Sequence, residues 1–191
     1  MRQLDALSIS IGVLAGVATL MTATVLTLPI WVVFIAWASF FILGAGTGGM
    51  VKSIASNLTG IVIASLSLLA IHILGGGPGA AAVSVGVGSA AMVQASKIPL
   101  LSKIPAIVWG FASTVGTAAA TGHDITTTSL SNPALVAAVS MVLGAVFGIL
   151  SEYWGTSMTK RPATESTPQA QTEAEAQAKD SHETPALGQR N

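Results

Sequence analysis

Residues 28–39 read LPIWVVFIAWAS, and residues 104–113 read IPAIVWGFAS. Both stretches are apolar and open on an aliphatic residue and a proline. Both carry tryptophan and serine, then run into glycine and threonine. The surrounding composition says what kind of segment the chain writes twice.

Hydrophobic residues make up 51% of the 191 residues and charged residues only 8%. A soluble globular domain carries about 25% charged residues. Between Ala6 and Ser151 the formal charges are Lys52, Lys97, Lys103 and Asp124 alone, and the other twelve flank this region. Such a stretch cannot solvate a globular surface, so it reads as an all-α membrane protein followed by a polar tail. Met1–Arg2 before an apolar run resembles the start of a secretory signal. The run Ala6–Leu28 is longer than a signal's apolar core and continues into more apolar sequence, so a retained first span is expected. Without cysteine there are no disulfides or thiolate metal sites. His72, His123 and His182 are far apart in sequence and form no visible ligand cluster.

A spanning helix needs about 20 apolar residues. That rule gives a transmembrane domain over 1–154 with six helices, near 6–28, 29–44, 51–74, 80–97, 105–120 and 133–154. Pro29 disfavours helical backbone at Leu28. GAGTGG (44–49) and GGGPGA (75–80) read as turns. KIPLLSKIP separates the fourth and fifth segments, and Pro133 suits the first turn of the sixth. Residues 155–191 are rich in Ala, Thr, Gln, Glu and Ser and are expected to be disordered. Lys and Arg favour cytoplasmic loops. With the N-terminus inside, Arg2, Lys52, Lys97, Lys103, Lys160 and Arg161 all fall inside, and the outside loops carry neither residue. Both termini are therefore expected in the cytoplasm.

The two phrases belong to a longer echo. Laying Ser8 on Ser84 also pairs Gly12 with Gly88, Pro29 with Pro105, Val32 with Val108 and Ala36 with Ala112. Further on, Ser56 falls on Ser140 and Gly60 on Gly144. Three helices per copy make the second copy inverted, a 3+3 construction common in transporters. The second and fifth segments are the shortest. At about 1.5 Å per residue, 16 residues span roughly 24 Å, short of a hydrocarbon core near 30 Å. The backbone of GAGTGG is expected to complete that crossing.

LPIWVVFIAWASFF, GGMVKSIASNLTGIVIA and IPAIVWGFASTVG together resemble the YcdZ-like bacterial inner-membrane proteins, a family of unknown function, over roughly residues 8–154. The resemblance implies a multi-pass protein of the bacterial inner membrane. It carries over no substrate and no functional residue.

The residues themselves suggest a candidate solute path: Trp37, Ser39, Thr47, Asn57, Trp109, Ser113, Thr114 and Thr117. These offer hydroxyl, amide and indole groups near the two short helices, with no charge at mid-membrane depth. Proton- or voltage-driven machines usually keep charges there. Gly12, Gly16, Gly60, Gly88, Gly144 and Gly148 are read as helix-packing positions, and Pro29 and Pro105 as helix breaks. Trp31 reads as an interfacial anchor and Glu152 as a side chain reaching headgroup water. Nucleotide-loop, nucleophile-elbow and zinc-helix motifs are absent. The expectation is a channel-like facilitator of a small uncharged or weakly polar solute. The alternative is a non-transporting structural or assembly subunit. No enzyme activity, cofactor or nucleic-acid partner is expected. The partners are the lipid bilayer and, if the glycines pack between subunits, further copies of the chain.

Overall fold

The computed structural model describes residues 2–159, and the expected polar tail from Lys160 onward lies outside them. Six α-helices follow in order: α1 (Gln3–Met21), α2 (Ile30–Ile42), α3 (Gly46–Ile73), α4 (Gly77–Ala95), α5 (Ile104–Thr121) and α6 (Pro133–Met158). A π-helical turn, Thr22–Leu26, extends α1, and a short 3-10 turn, Pro99–Leu101, precedes α5. There is no strand among the described residues. Five of the helices are long and apolar enough to cross a membrane; α2, with 13 residues, is shorter.

Beyond shifts of up to three residues, such as the earlier starts of α1 and α4, the helices differ from the sequence reading in three respects. GAGTGG is a break only in its first two residues. The turn is confined to Leu43–Ala45, and Gly46 to Gly49 form the first turn of α3. Glycine there is weakly helical, but Gly46 N–H donates to the Glu152 carboxylate of α6 at 2.7 Å. A negative group on the free N–H groups of a helix start stabilises it. Glu152 therefore anchors α3 rather than reaching for headgroups. Glu152→Ala should lower stability by about 1 kcal/mol, read as a shift in the unfolding midpoint in detergent. The second difference is that α6 runs four residues past 154, to Met158. The third concerns the prolines: Pro29 stands just before α2, whereas Pro105 lies inside the first turn of α5. Each marks a helix start, where a missing N–H is harmless, and so falls at the break between segments that the sequence placed there.

The helices alternate in direction. The starts of α1, α3 and α5 and the ends of α2, α4 and α6 share one end of the bundle. Arg2, Lys52, Lys97 and Lys103 all belong to that end. His72, His123 and Asp124 belong to the other. The long helices α3 and α6 pack against each other; α5 and α4 lie on α3, as α2 and α1 lie on α6.

Close approach of these helices depends on glycine. A Cβ on Gly60 would fall on the Ile107 carbonyl oxygen, and one on Gly110 would fall on that of Asn57. A Cβ on Gly144 would meet the Val33 carbonyl oxygen, and one on Gly148 the Phe40 ring. By contrast Gly12 and Gly16 face outward with nothing nearby, so they pack against nothing within the described chain.

The buried positions recur along the chain. Val32, Val33, Ala36, Trp37, Ser39 and Phe40 of α2 are matched 74 residues later by Ala106, Ile107, Gly110, Phe111, Ser113 and Thr114 of α5. Ser53, Ser56, Asn57, Gly60, Ala64 and Ser67 of α3 are matched 84 residues later by Ala137, Ser140, Met141, Gly144, Gly148 and Ser151 of α6. In α1 and α4, Ser10, Leu14 and Ala18 correspond to Ser84, Gly88 and Met92. Laying Pro29 on Pro105 gives a spacing of 76, two residues off. The slip arises because one proline precedes its helix start by one residue and the other follows it by one.

Candidate functional site

At mid-length of α3, three fully buried polar side chains close a ring. Ser39 Oγ donates to Asn57 Oδ1 at 3.4 Å, Asn57 Nδ2 donates to Ser53 Oγ at 3.3 Å, and Ser53 Oγ donates to Ser39 Oγ at 2.9 Å. Local sequence explains the arrangement. Ser53 and Asn57 are four residues apart, so they share one face of α3. Ser39 comes from α2, which is held close by the short Leu43–Ala45 turn. Two of the three bonds are longer than the usual 2.7–3.2 Å. The ring is expanded rather than clenched, and one amide N–H of Asn57 is left over.

Other buried hydroxyls extend this polarity. Ser56 on α3, and Ser113 and Thr117 one turn apart on α5, are buried without a hydrogen-bond partner among the described residues. Gly110 touches the Asn57 backbone, so Ser113 and Thr117 lie along α5 one and two turns beyond that contact. Hydroxyls in apolar helices ordinarily bond the carbonyl four residues back. Thr114 does so to Gly110 at 3.0 Å and Ser140 to Val136 at 2.7 Å. A buried hydroxyl without a partner costs free energy.

The remaining sequence candidates divide. Ser39, Asn57, Ser113, Thr114 and Thr117 are buried in the interior shared by α2, α3, α5 and α6. Thr47 is exposed in the first turn of α3, away from them, because the residues around it are helical rather than re-entrant. Trp109 is half-buried. Trp37 is 4% exposed and serves packing: its ring stacks on Phe147 at 5.6 Å between centroids, and Nε1 donates to Ser151 Oγ at 3.0 Å. Trp37→Phe keeps the stack and removes one buried bond, so a loss of about 1 kcal/mol is expected in thermal unfolding. Trp31, at the start of α2, lies against Gly116 near the end of α5. Ser53 was not singled out in the sequence, although its spacing of four from Asn57 marks it, and Ser56 was read only as a repeat position.

At the opposite end from the lysines, His72 Nδ1 lies 3.6 Å from Asp124 Oδ2, with His123 nearby around a cavity of about 270 Å³. The Thr126 backbone N–H and hydroxyl, each 2.9 Å from Asp124 Oδ1, hold this carboxyl below its usual pKa, and His72 adds to the effect. A depressed carboxylate pKa adds stability that is present above the unfolded-state value and is lost as pH falls through the folded value. Amide protection factors in residues 122–132 should therefore fall in that acidic window. Among the described residues no three His, Cys, Asp or Glu side chains are grouped to hold a metal.

Six apolar helices around an uncharged polar interior define an all-α membrane protein. Residues 8–156 match the family model described as protein of unknown function (DUF1097), and the chain belongs to that family. No curated protein and no solved structure matches it.

Proposed function

We propose that the protein is a facilitator for a small uncharged solute that both donates and accepts hydrogen bonds. Its path would run through the interior shared by α2, α3, α5 and α6. The observation that carries this reading is the expanded Ser39–Ser53–Asn57 ring, continued by partnerless hydroxyls on Ser56, Ser113 and Thr117. Such groups gain from a solute or water that completes their bonds. Their neutrality favours an uncharged passenger, since a desolvated ion needs opposing charge or dense coordination.

The reading includes an inverted 3+3 repeat. Its support is the recurrence of buried positions at spacings of 74 and 84 and the matched packing of α1 and α2 on α6 and of α4 and α5 on α3. A solute position between inverted halves is the common construction. The lysine-bearing end would face the cytoplasm. The resemblance to YcdZ-like proteins supports the bacterial inner membrane. Uptake of a panel of small amides and polyols into proteoliposomes is the test. Permeation well above empty liposomes is expected for at least one class, and none above them would overturn the reading.

A second reading, a non-transporting subunit that associates with itself, has one observation in its favour. Gly12 and Gly16 present an outward face on α1 that no residue of the described chain covers. Small residues on such a face let helices of two chains approach closely. Crosslinked dimers through α1 together with no solute uptake would favour it.

A further inference from the structure

The α1–α6 pair and the α4–α3 pair differ at the cleft between the outer helix and the long helix beneath it. Leu14 of α1 and Phe147 of α6 share a buried cluster at one such cleft, and Trp154 lies two turns further along α6. Their counterparts at spacings of 74 and 84 are Gly88, Ile63 and Ala70. Three larger side chains become three smaller ones. A cavity of about 300 Å³ lies there, between α3 and α4.

The polar groups differ in the same direction. Ser10 donates to the Ser151 carbonyl at 2.7 Å, and Trp37 donates to the Ser151 hydroxyl. Across the pseudo-equivalence, Ser84 takes the place of Ser10, Ser67 that of Ser151, and Phe111 that of Trp37. Phe111 has no N–H to give. Ser67 bonds its own helix at Ile63, 2.9 Å. Ser84 lines the cavity, is 6% exposed, and has no hydrogen-bond partner among the described residues.

We propose that this cleft binds an uncharged, membrane-dissolved carbonyl compound with an alkyl body, and that Ser84 Oγ–H donates to its carbonyl oxygen. The outer lining, Leu66, Leu74, Val83 and Val87, is exposed on the apolar flank of the bundle, so entry is from hydrocarbon. The lining carries no charged residue. A bare alkyl chain would fill the space but leave the Ser84 hydroxyl unmatched, and burying such a group alone is unfavourable. Ser84 is seven residues inside α4, roughly 10 Å from its start. The ester groups of bilayer lipids stay near the helix ends, so the oxygen belongs to a molecule that dissolves in the hydrocarbon itself. This binding does not depend on whether the interior conducts a solute.

The test uses the full chain in a maltoside detergent, which has no carbonyl. A medium-chain methyl ketone labelled with carbon-13 at its carbonyl is titrated in, and the infrared carbonyl band is followed. The wild type should show a saturable band shifted to lower frequency by hydrogen bonding. Ser84→Ala should lose the shifted band and bind about tenfold more weakly. Ala70→Trp, which restores the bulk of Trp154, should abolish saturable binding. The alkane of equal length should compete poorly. Absence of a saturable shifted band overturns the proposal. So does its persistence in Ser84→Ala, or competition by the alkane on equal terms.

Discussion

If the interior conducts as proposed, Asn57→Leu should leave the bundle folded and lower solute passage about tenfold or more. Leucine is close to asparagine in volume, and the substitution removes both the Asn57 Oδ1 acceptor of Ser39 and the Nδ2 donor to Ser53. Hydrogen bonds between apolar helices contribute only about 0.6 kcal/mol on average. Ser39 and Ser53 still have each other at 2.9 Å, so the unfolding free energy should change by about 1 kcal/mol or less. A solute that accepts from the spare Asn57 N–H loses that bond as well, and a bond lost there lowers the passage rate directly. Unfolding and proteoliposome uptake measured on one preparation separate the two effects. A variant that unfolds readily but, while folded, passes solute at the wild-type rate would mean that the ring is structural only.

The largest stability effects belong to glycine. Gly60→Ala and Gly110→Ala each place a methyl group on a backbone carbonyl oxygen, that of Ile107 or Asn57, and a backbone cannot rotate away. Each should cost about 3 kcal/mol by forcing α3 and α5 apart. Gly12→Ala and Gly16→Ala meet open space and should be neutral or slightly stabilising, because alanine is the better helix former. Steric-trap or denaturant unfolding in bicelles reads all four.

The contrast among these glycines shows what the sequence could and could not reveal. Gly12, Gly16 and Gly60 were legible as small residues at helical spacing, and Gly110 was not singled out. Which of them touch a neighbour depends on the face each helix turns inward, and α1 is apolar nearly all round, so its sequence does not mark that face. The six helices were legible because each is a long apolar run bounded by proline, glycine or charge. The start of α3 was not, because glycine-rich sequence reads as turn until a distant carboxylate, Glu152, is seen at its N-terminus. The recurrence of buried positions was legible in part: the spacing of 84 between α3 and α6 was read from Ser56 and Gly60, whereas that between α2 and α5 was read two residues out, since proline fits both just before and just inside a helix. Asn57 was legible as a lone amide in an apolar helix. Its ring needed Ser39, which only the α2–α3 turn brings to it. Ser84 was not distinguishable from serines that bond their own helix, such as Ser65, which donates to Ile61 at 2.8 Å.

The most direct test of the central claim, that water and solute reach the interior between α2, α3, α5 and α6, uses the natural absence of cysteine. Single cysteines replace Ser39, Ser113 and, on the outward face, Val62, which is 58% exposed. The full chain in proteoliposomes is then treated with a small water-soluble thiol reagent. Only a thiolate reacts, and thiolate formation is suppressed in hydrocarbon. The buried positions 39 and 113 should react about tenfold faster than the exposed position 62. Positions 39 and 113 as inert as position 62 would mean a dry interior and would contradict the account.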